Sequence, residues 1–181
     1  MLQRLNVHNC LEYYLAAKLC NRIHPLQLEA MGYIGRHLRT ISRTQFFLEL
    51  EECTIIDMLV DDGLQVPSEH VVYDAGMAWI KYDIEERKES LNYILETIRL
   101  PLLSVDFLIR VVGKEYLIEE DHDAVNKYSY ALQYKLNANA CQRDDNRLSP
   151  SSFSSPRKSG YSVLDKNVTV RHRFSYRVKG A

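Results

Sequence analysis

No apolar run in this sequence approaches the roughly 20 residues that a helix needs to cross a bilayer. The opening residues, Met1-Leu2-Gln3-Arg4-Leu5-Asn6, also lack the basic-then-apolar order of a secretory leader, so neither a membrane span nor a signal peptide is expected. The cysteines are few and scattered: Cys10, Cys20, Cys53 and Cys141 include no close pair of the kind zinc sites use. Three of them fall inside helical patterns, where a buried free thiol is the expected state. A reducing, cytoplasmic compartment follows as the expectation. Catalytic signatures are missing too, with no Gly-rich phosphate loop, HExxH, GxSxG or CxxC. The six histidines (8, 24, 37, 70, 122 and 172) show no ligand spacing. The acidic runs Glu85-Glu86 and Glu119-Glu120-Asp121 have no visible partner for acid–base work and read as solvated turns or helix starts. No enzyme, metal or cofactor is expected.

What is present is the composition of a soluble globular chain. Its 181 residues are 46% hydrophobic and 26% charged, enough for one sizeable core with appendages. The net charge of −1 conceals two different kinds of sequence. Residues 142–181 carry nine Lys/Arg against three acids, a balance of +6; residues 1–141 carry fourteen against twenty-one, a balance of −7.

The pattern up to about residue 137 is helical throughout. Asn9 is the expected N-cap of a first helix carrying Leu11, Tyr14, Leu15 and Leu19 on one side. His24-Pro25 breaks it, and Pro25 suits the first position of the next helix, with Leu28, Met31, Ile34, Leu38 and Ile41 as its stripe. Ser42-x-x-Gln45 has the form of a capping box opening a short helix with Phe46, Phe47 and Leu50. Thr54 is the expected start of another, ended by Asp61-Asp62-Gly63.

The organising stretch is Gln65 to Leu103, read as two helices joined by a short charged turn. Val72, Ala75, Gly76, Trp79 and Ile80 fall at i, i+3, i+4, i+7 and i+8, so they share one helical face. Ser68 is placed to cap it, with Glu69 at the end where the helix dipole favours negative charge. Leu91, Ile94, Leu95 and Ile98 form the second stripe, and Pro101 bars its continuation. Trp79, the only tryptophan, stands where the stripes converge and is expected at the centre of the core. Ser104 then caps a helix with Phe107, Leu108, Val111 and Val112, stopped by Gly113. A final helix from about Asp121 to Asn137 is expected to turn Val125, Tyr128, Leu132 and Leu136 inward. The fold class is all-α, built of stacked short antiparallel helix pairs.

Beyond Cys141 the pattern changes. Residues 142–160 read as a Ser/Pro linker with too little apolar surface to fold. In residues 161–181, Val168, Val170, Phe174, Tyr176 and Val178 alternate with Thr169, Arg171, Arg173, Ser175 and Arg177: strand period with a basic face. One strand is not stable alone, so this tail is expected to be isolated or disordered. Nucleic-acid binding through its charge is disfavoured, because no recognised module or stacking motif surrounds it.

The ordered series Asn9-Cys10-Leu11, Glu69-x-x-Val72, Trp79, Arg87 and Ile98-Arg99-Leu100-Pro101-Leu102-Leu103 resembles the BACK domain of the BTB–BACK–kelch proteins. Gln65-Val66 ahead of the glutamate and the closing Tyr134-Lys135-Leu136 are similar to that family as well, and the resemblance spans about residues 5–137. It implies a non-catalytic helical scaffold holding a BTB dimerisation domain at one end and a kelch propeller at the other. In many members this is a substrate adaptor of a cullin-3 RING ubiquitin ligase. Cullin-3 would then be held through the adjoining BTB region and substrate through a kelch domain, neither present here, with self-association a further expected property. Leu2 and Leu5 are the candidates for a residual cullin contact. Ser155-Pro156-Arg157-Lys158-Ser159 is similar to the linker before a first propeller blade, but no Gly-Gly blade signature follows, so a fragment is expected. The alternatives are an actin-associated cytoskeletal protein without ligase role, or a truncated chain without function.

Overall fold

The computed structural model describes residues 4–19 and 25–141. Leu2, Cys20, His24, the expected linker 142–160 and the expected tail 161–181 lie outside the described residues. Among the described residues every regular element is helical. The elements are α1 (Cys10–Leu19), α2 (Pro25–Ile41), α3 (Gln45–Leu48), α4 (Glu52–Val60), α5 (Glu69–Tyr82), α6 (Ile84–Arg87), α7 (Leu91–Thr97), α8 (Val105–Arg110), α9 (Tyr116–Glu119) and α10 (His122–Cys141), with 3₁₀ turns at Lys88–Ser90, Leu100–Leu102 and Val112–Lys114.

The caps explain several boundaries and correct others. A turn precedes α1, in which Asn6 Oδ1 accepts from the N–H groups of His8 (2.8 Å) and Asn9 (3.1 Å). Asn9 answers in reverse, its own Oδ1 accepting from Asn6 N at 2.8 Å. This is the reciprocal exchange of a capping box, set in the turn ahead of α1. Asn9 directly precedes Cys10, where the sequence places the cap, and its carbonyl accepts from Tyr13 N at 3.0 Å, but its side chain serves the turn. Pro25 begins α2 as expected. The expected box at Ser42 is not formed. Ser42 belongs to the end of α2, and Thr44 caps α3 by accepting from Phe47 N. Helix α4 begins at Glu52, two residues before Thr54. Ser68 and Ser104 cap α5 and α8 as the sequence indicates.

Helix α5 is the hub. It touches α2, α3, α4, α6 and α7, and buries Val71, Tyr73 and Met77 as well as the expected stripe of Val72, Ala75, Gly76, Trp79 and Ile80. A helix apolar on most of its circumference belongs inside a structure, not on its surface. Glycine at position 76 is a packing requirement: a Cβ there would lie 2.7 Å from Ile94 Cγ2 on α7. Gly35 plays the same part on α2, where a Cβ would meet the main chain of Gln65 at 2.5 Å.

Helix α10 closes the stack over α7, α8, α9 and the Leu100–Leu102 turn. Asp121 caps it, accepting from Ala124 N at 2.8 Å, while both its oxygens accept from Asn92 Nδ2 of α7 at 3.0 Å. Those hydrogen bonds, the Asn92 amide first, hold the Asp121 carboxyl below its ordinary range. Lys127 reinforces the seam through Asn92 Oδ1 at 2.9 Å and Glu96 at 3.3 Å. The inner face of α10 is in part the one its apolar pattern suggests, with Val125 half-buried and Leu136 the exception. Ala124 and Ala131 are the buried positions, Tyr128 and Leu132 are half-buried, and Leu136 is 52% exposed. Small residues let the helix approach closely, so backbone proximity rather than side-chain bulk sets its rotation.

Other expectations also fail at element ends. Leu19 and Leu28 are exposed, because α1 and α2 turn those ends of their stripes outward. In α8, Val111 lies outside the core and the helix stops at Arg110, before Gly113. Gly113 sits inside a 3₁₀ turn, where a Cβ would come 2.6 Å from the Tyr128 hydroxyl. The charged turn after α5 contains α6, and α9, with Leu117 and Ile118 buried, has no counterpart in the sequence reading.

Gly76→Ala tests the α5–α7 contact with opposite signs. Helix propensity alone would stabilise the protein by about 1 kcal/mol, whereas overpacking against Ile94 costs about 1–3 kcal/mol. Urea unfolding should show net destabilisation, and a stabilised variant would contradict the contact.

Candidate functional site

The motif residues fall into two bonded clusters at opposite ends of α5, with a third group at the start of α1. At the C-terminal end, the Trp79 side chain is 2% exposed and its Nε1–H donates to Leu50 O at 2.8 Å. Burial of an indole is tolerated when its one donor is satisfied, and here the acceptor lies in the connection between α3 and α4. Arg87, the last residue of α6, lays its guanidinium 4.1 Å from the Trp79 ring centroid and 5.5 Å from that of Tyr82. Its Nη1 donates to Leu48 O (2.7 Å) and Trp79 O (2.8 Å). Both carbonyls lie in the last turns of their helices, α3 and α5, where acceptors have no partner within the helix. One cation thus satisfies two helix ends and covers the aromatic face between them.

At the N-terminal end, Glu69 is 7% exposed although it is the first residue of α5. Its Oε1 accepts from the main-chain N–H of Arg99 at 2.9 Å. The Arg99 side chain pairs through Nη2 with Asp62, in the connection between α4 and α5. Glu69 and Arg99 therefore fasten the α4–α5 and α7–α8 connections to the same helix start. Leu100 and Pro101 are buried, Leu102 is half-buried, and Leu103 is fully buried. His70 bridges the two caps, with Nδ1 bonded to Ser68 Oγ, and Nε2 3.3 Å from Ser104 Oγ while accepting weakly from Ser104 N at 3.4 Å.

The Asn9-Cys10-Leu11 group stays apart from both clusters. Besides its part in the capping box, the Asn9 side chain donates from Nδ2 to Arg4 O at 3.2 Å. Cys10 and Leu11 are buried, and burial pushes the Cys10 thiol above its ordinary range, which keeps it inert. Leu5 is half-buried against the core. Val72 is buried in the middle of α5.

Several tying residues escaped the sequence reading. Glu115, just before α9, accepts from Lys81 Nζ at 2.6 Å, and the Tyr73 phenol lies well above its usual range through burial first and then the charge of Glu115. Asn92 and His70 were missed for the same reason: their partners lie 29 and 34 residues away, and no spacing rule reaches that far. Among the described residues no three His, Cys, Asp or Glu side chains are grouped to hold a metal, and no helix is long and apolar enough to cross a membrane.

Arg87 and Glu69 thus tie main-chain groups of neighbouring segments together at the two ends of α5. Residues 10–113 match the family model for BACK, "BTB And C-terminal Kelch". The chain belongs to the BACK family. Kelch-like protein 28 of Mus musculus is 36% identical over 111 residues, covering 61% of this chain and 19% of the relative. Kelch-like protein 17 of Homo sapiens is 31% identical over 138 residues, 75% of this chain and 21% of the relative. Kelch-like protein 7 of Mus musculus is 31% identical over 134 residues, 74% and 23%. The chain thus spans about a fifth of the length of these kelch-like relatives. The BACK match covers α1 through α8, so both bonded clusters of the domain lie inside it.

In this BACK domain Trp79→Ala should lower stability by about 3–5 kcal/mol, measured by urea unfolding of the full chain. A loss under about 1 kcal/mol would mean that the indole is not central to the core.

Proposed function

We propose that this BACK domain is the spacer of a BTB–kelch adaptor that presents substrates to a cullin-3 RING ubiquitin ligase in the cytoplasm. The observation that carries the reading is the pair of clusters at the ends of α5. Arg87 joins the ends of α3 and α5, while Glu69 and Arg99 join the α4–α5 and α7–α8 connections, so neighbouring helices are held at fixed angles. A part that sets the distance between a ligase and its substrate must resist bending, and main-chain ties to buried or half-buried charges resist it better than surface ion pairs do.

On this reading the domain performs no chemistry itself. Cullin-3 is gripped by a BTB region next to α1, and substrate by a kelch propeller beyond α10. Leu2 and Leu5 contribute at most the margin of the cullin surface, Leu5 with the part of its side chain that the core leaves open.

Affinity purification of the endogenous protein with an antibody against residues 1–141 tests the proposal. Cullin-3 should co-purify, on a polypeptide several times larger than the 21.1 kDa of this chain. Recovery of actin without cullin-3 would replace the ligase reading by a cytoskeletal one, and recovery of neither would overturn both.

A further inference from the structure

One groove in the helical stack is lined by apolar side chains together with two glutamates. Leu15 and Leu19 of α1, Phe46 of α3 and Leu50 line it, with Glu49 and Glu51 beside them. Leu19 is 86% exposed and Phe46 40%, both large for side chains of their kind. Lys18, also in the lining, does not neutralise these glutamates, because its ammonium is engaged by Asp57 at 2.7 Å. Among the described residues no cation pairs with Glu49 or Glu51. Among the described residues the Glu49 carboxylate accepts from the neutral amide of Gln45 and that of Glu51 from the Cys53 thiol. The groove therefore suits an occupant with apolar side chains on one face and positive charges beside them.

The chain itself contains such a segment. Residues 171–178 read Arg-His-Arg-Phe-Ser-Tyr-Arg-Val, with three arginines, no acid, and Phe174, Tyr176 and Val178 at alternate positions. The wider balance points the same way, with +6 in residues 142–181 facing −7 in residues 1–141. Reach is ample. The 29 residues between Cys141 and Arg171 span at most about 100 Å, against a diameter of roughly 36 Å for a compact domain of this size. Tethering also raises the local concentration of the segment far above that of a free partner.

We propose that residues 171–178 dock into this groove, with Phe174 and Tyr176 against Leu15, Leu19 and Phe46 and the arginines beside Glu49 and Glu51. The docked segment covers apolar surface and offsets the excess negative charge of the helical domain.

Zero-length carbodiimide coupling of the full chain, followed by peptide mass mapping, tests this directly. It joins a carboxylate to an amine only when the two touch, and Lys166 and Lys179 flank the segment. Links from either lysine to Glu49 or Glu51 should appear in the monomer band and fall severalfold as salt rises. Phe174→Asp should reduce them strongly without altering the helical circular dichroism, and Leu19→Asp should do so from the other side. Links spread evenly over the acidic surface, or absent at the groove, would overturn the proposal. Links confined to a dimer band would also overturn it, by assigning the groove to a second copy.

Discussion

The contact between Arg87 and Trp79 is the constraint on which the rest of this structure leans. Short helices leave many main-chain acceptors without partners, because the last four carbonyls of each helix have none of their own. A stack made of helices as short as α3 and α6, four residues each, is dominated by such ends. Arg87 answers two of them with one nitrogen and lies on the indole whose own N–H answers a third acceptor, Leu50 O. The Glu69–Arg99 clamp is the same solution with the charge reversed, a buried carboxylate accepting from a main-chain N–H that belongs to no helix.

These ties also determine how the domain behaves as a mechanical part. Helix α5 is enclosed by α2, α3, α4 and α7 and fastened at both ends, so movement of one pair is passed to the next through a buried helix. Seams farther out rely on partly exposed polar links such as Asp121–Asn92–Lys127 and Lys81–Glu115. They contribute less each and yield first. A stack that is stiff at its centre and softer at its margin fits a spacer between two binding domains.

Much of this was legible in the sequence, for identifiable reasons. The all-α class, the stripe of α5, the Ser68 and Ser104 caps and the central position of Trp79 follow from local periodicity and turn chemistry, which act over a few residues. The BACK resemblance rested on an ordered series of such residues, and the family match over residues 10–113 agrees with it. What was not legible depends on distance along the chain. Asn92 and Asp121 are 29 residues apart, and Arg87 and Leu48 are 39 apart. On α10, Tyr128 and Leu132 pack on the core as the apolar pattern indicates, but the deepest positions are Ala124 and Ala131, too small to stand out in that pattern, while Leu136 is exposed. Ahead of α1, Asn9 stands where the sequence puts it, directly before Cys10, but its side chain pairs with Asn6 in the preceding turn, an exchange that preference for one position does not reveal.

The most direct test of the central claim is a double-mutant cycle of Trp79→Leu and Arg87→Met, read by urea unfolding of the full chain. If the guanidinium and the indole support the same helix ends, the two losses overlap and the coupling energy should be about 1 kcal/mol or more. Additive losses, with coupling below about 0.3 kcal/mol, would show that the two residues act independently and that the stack is held by other means.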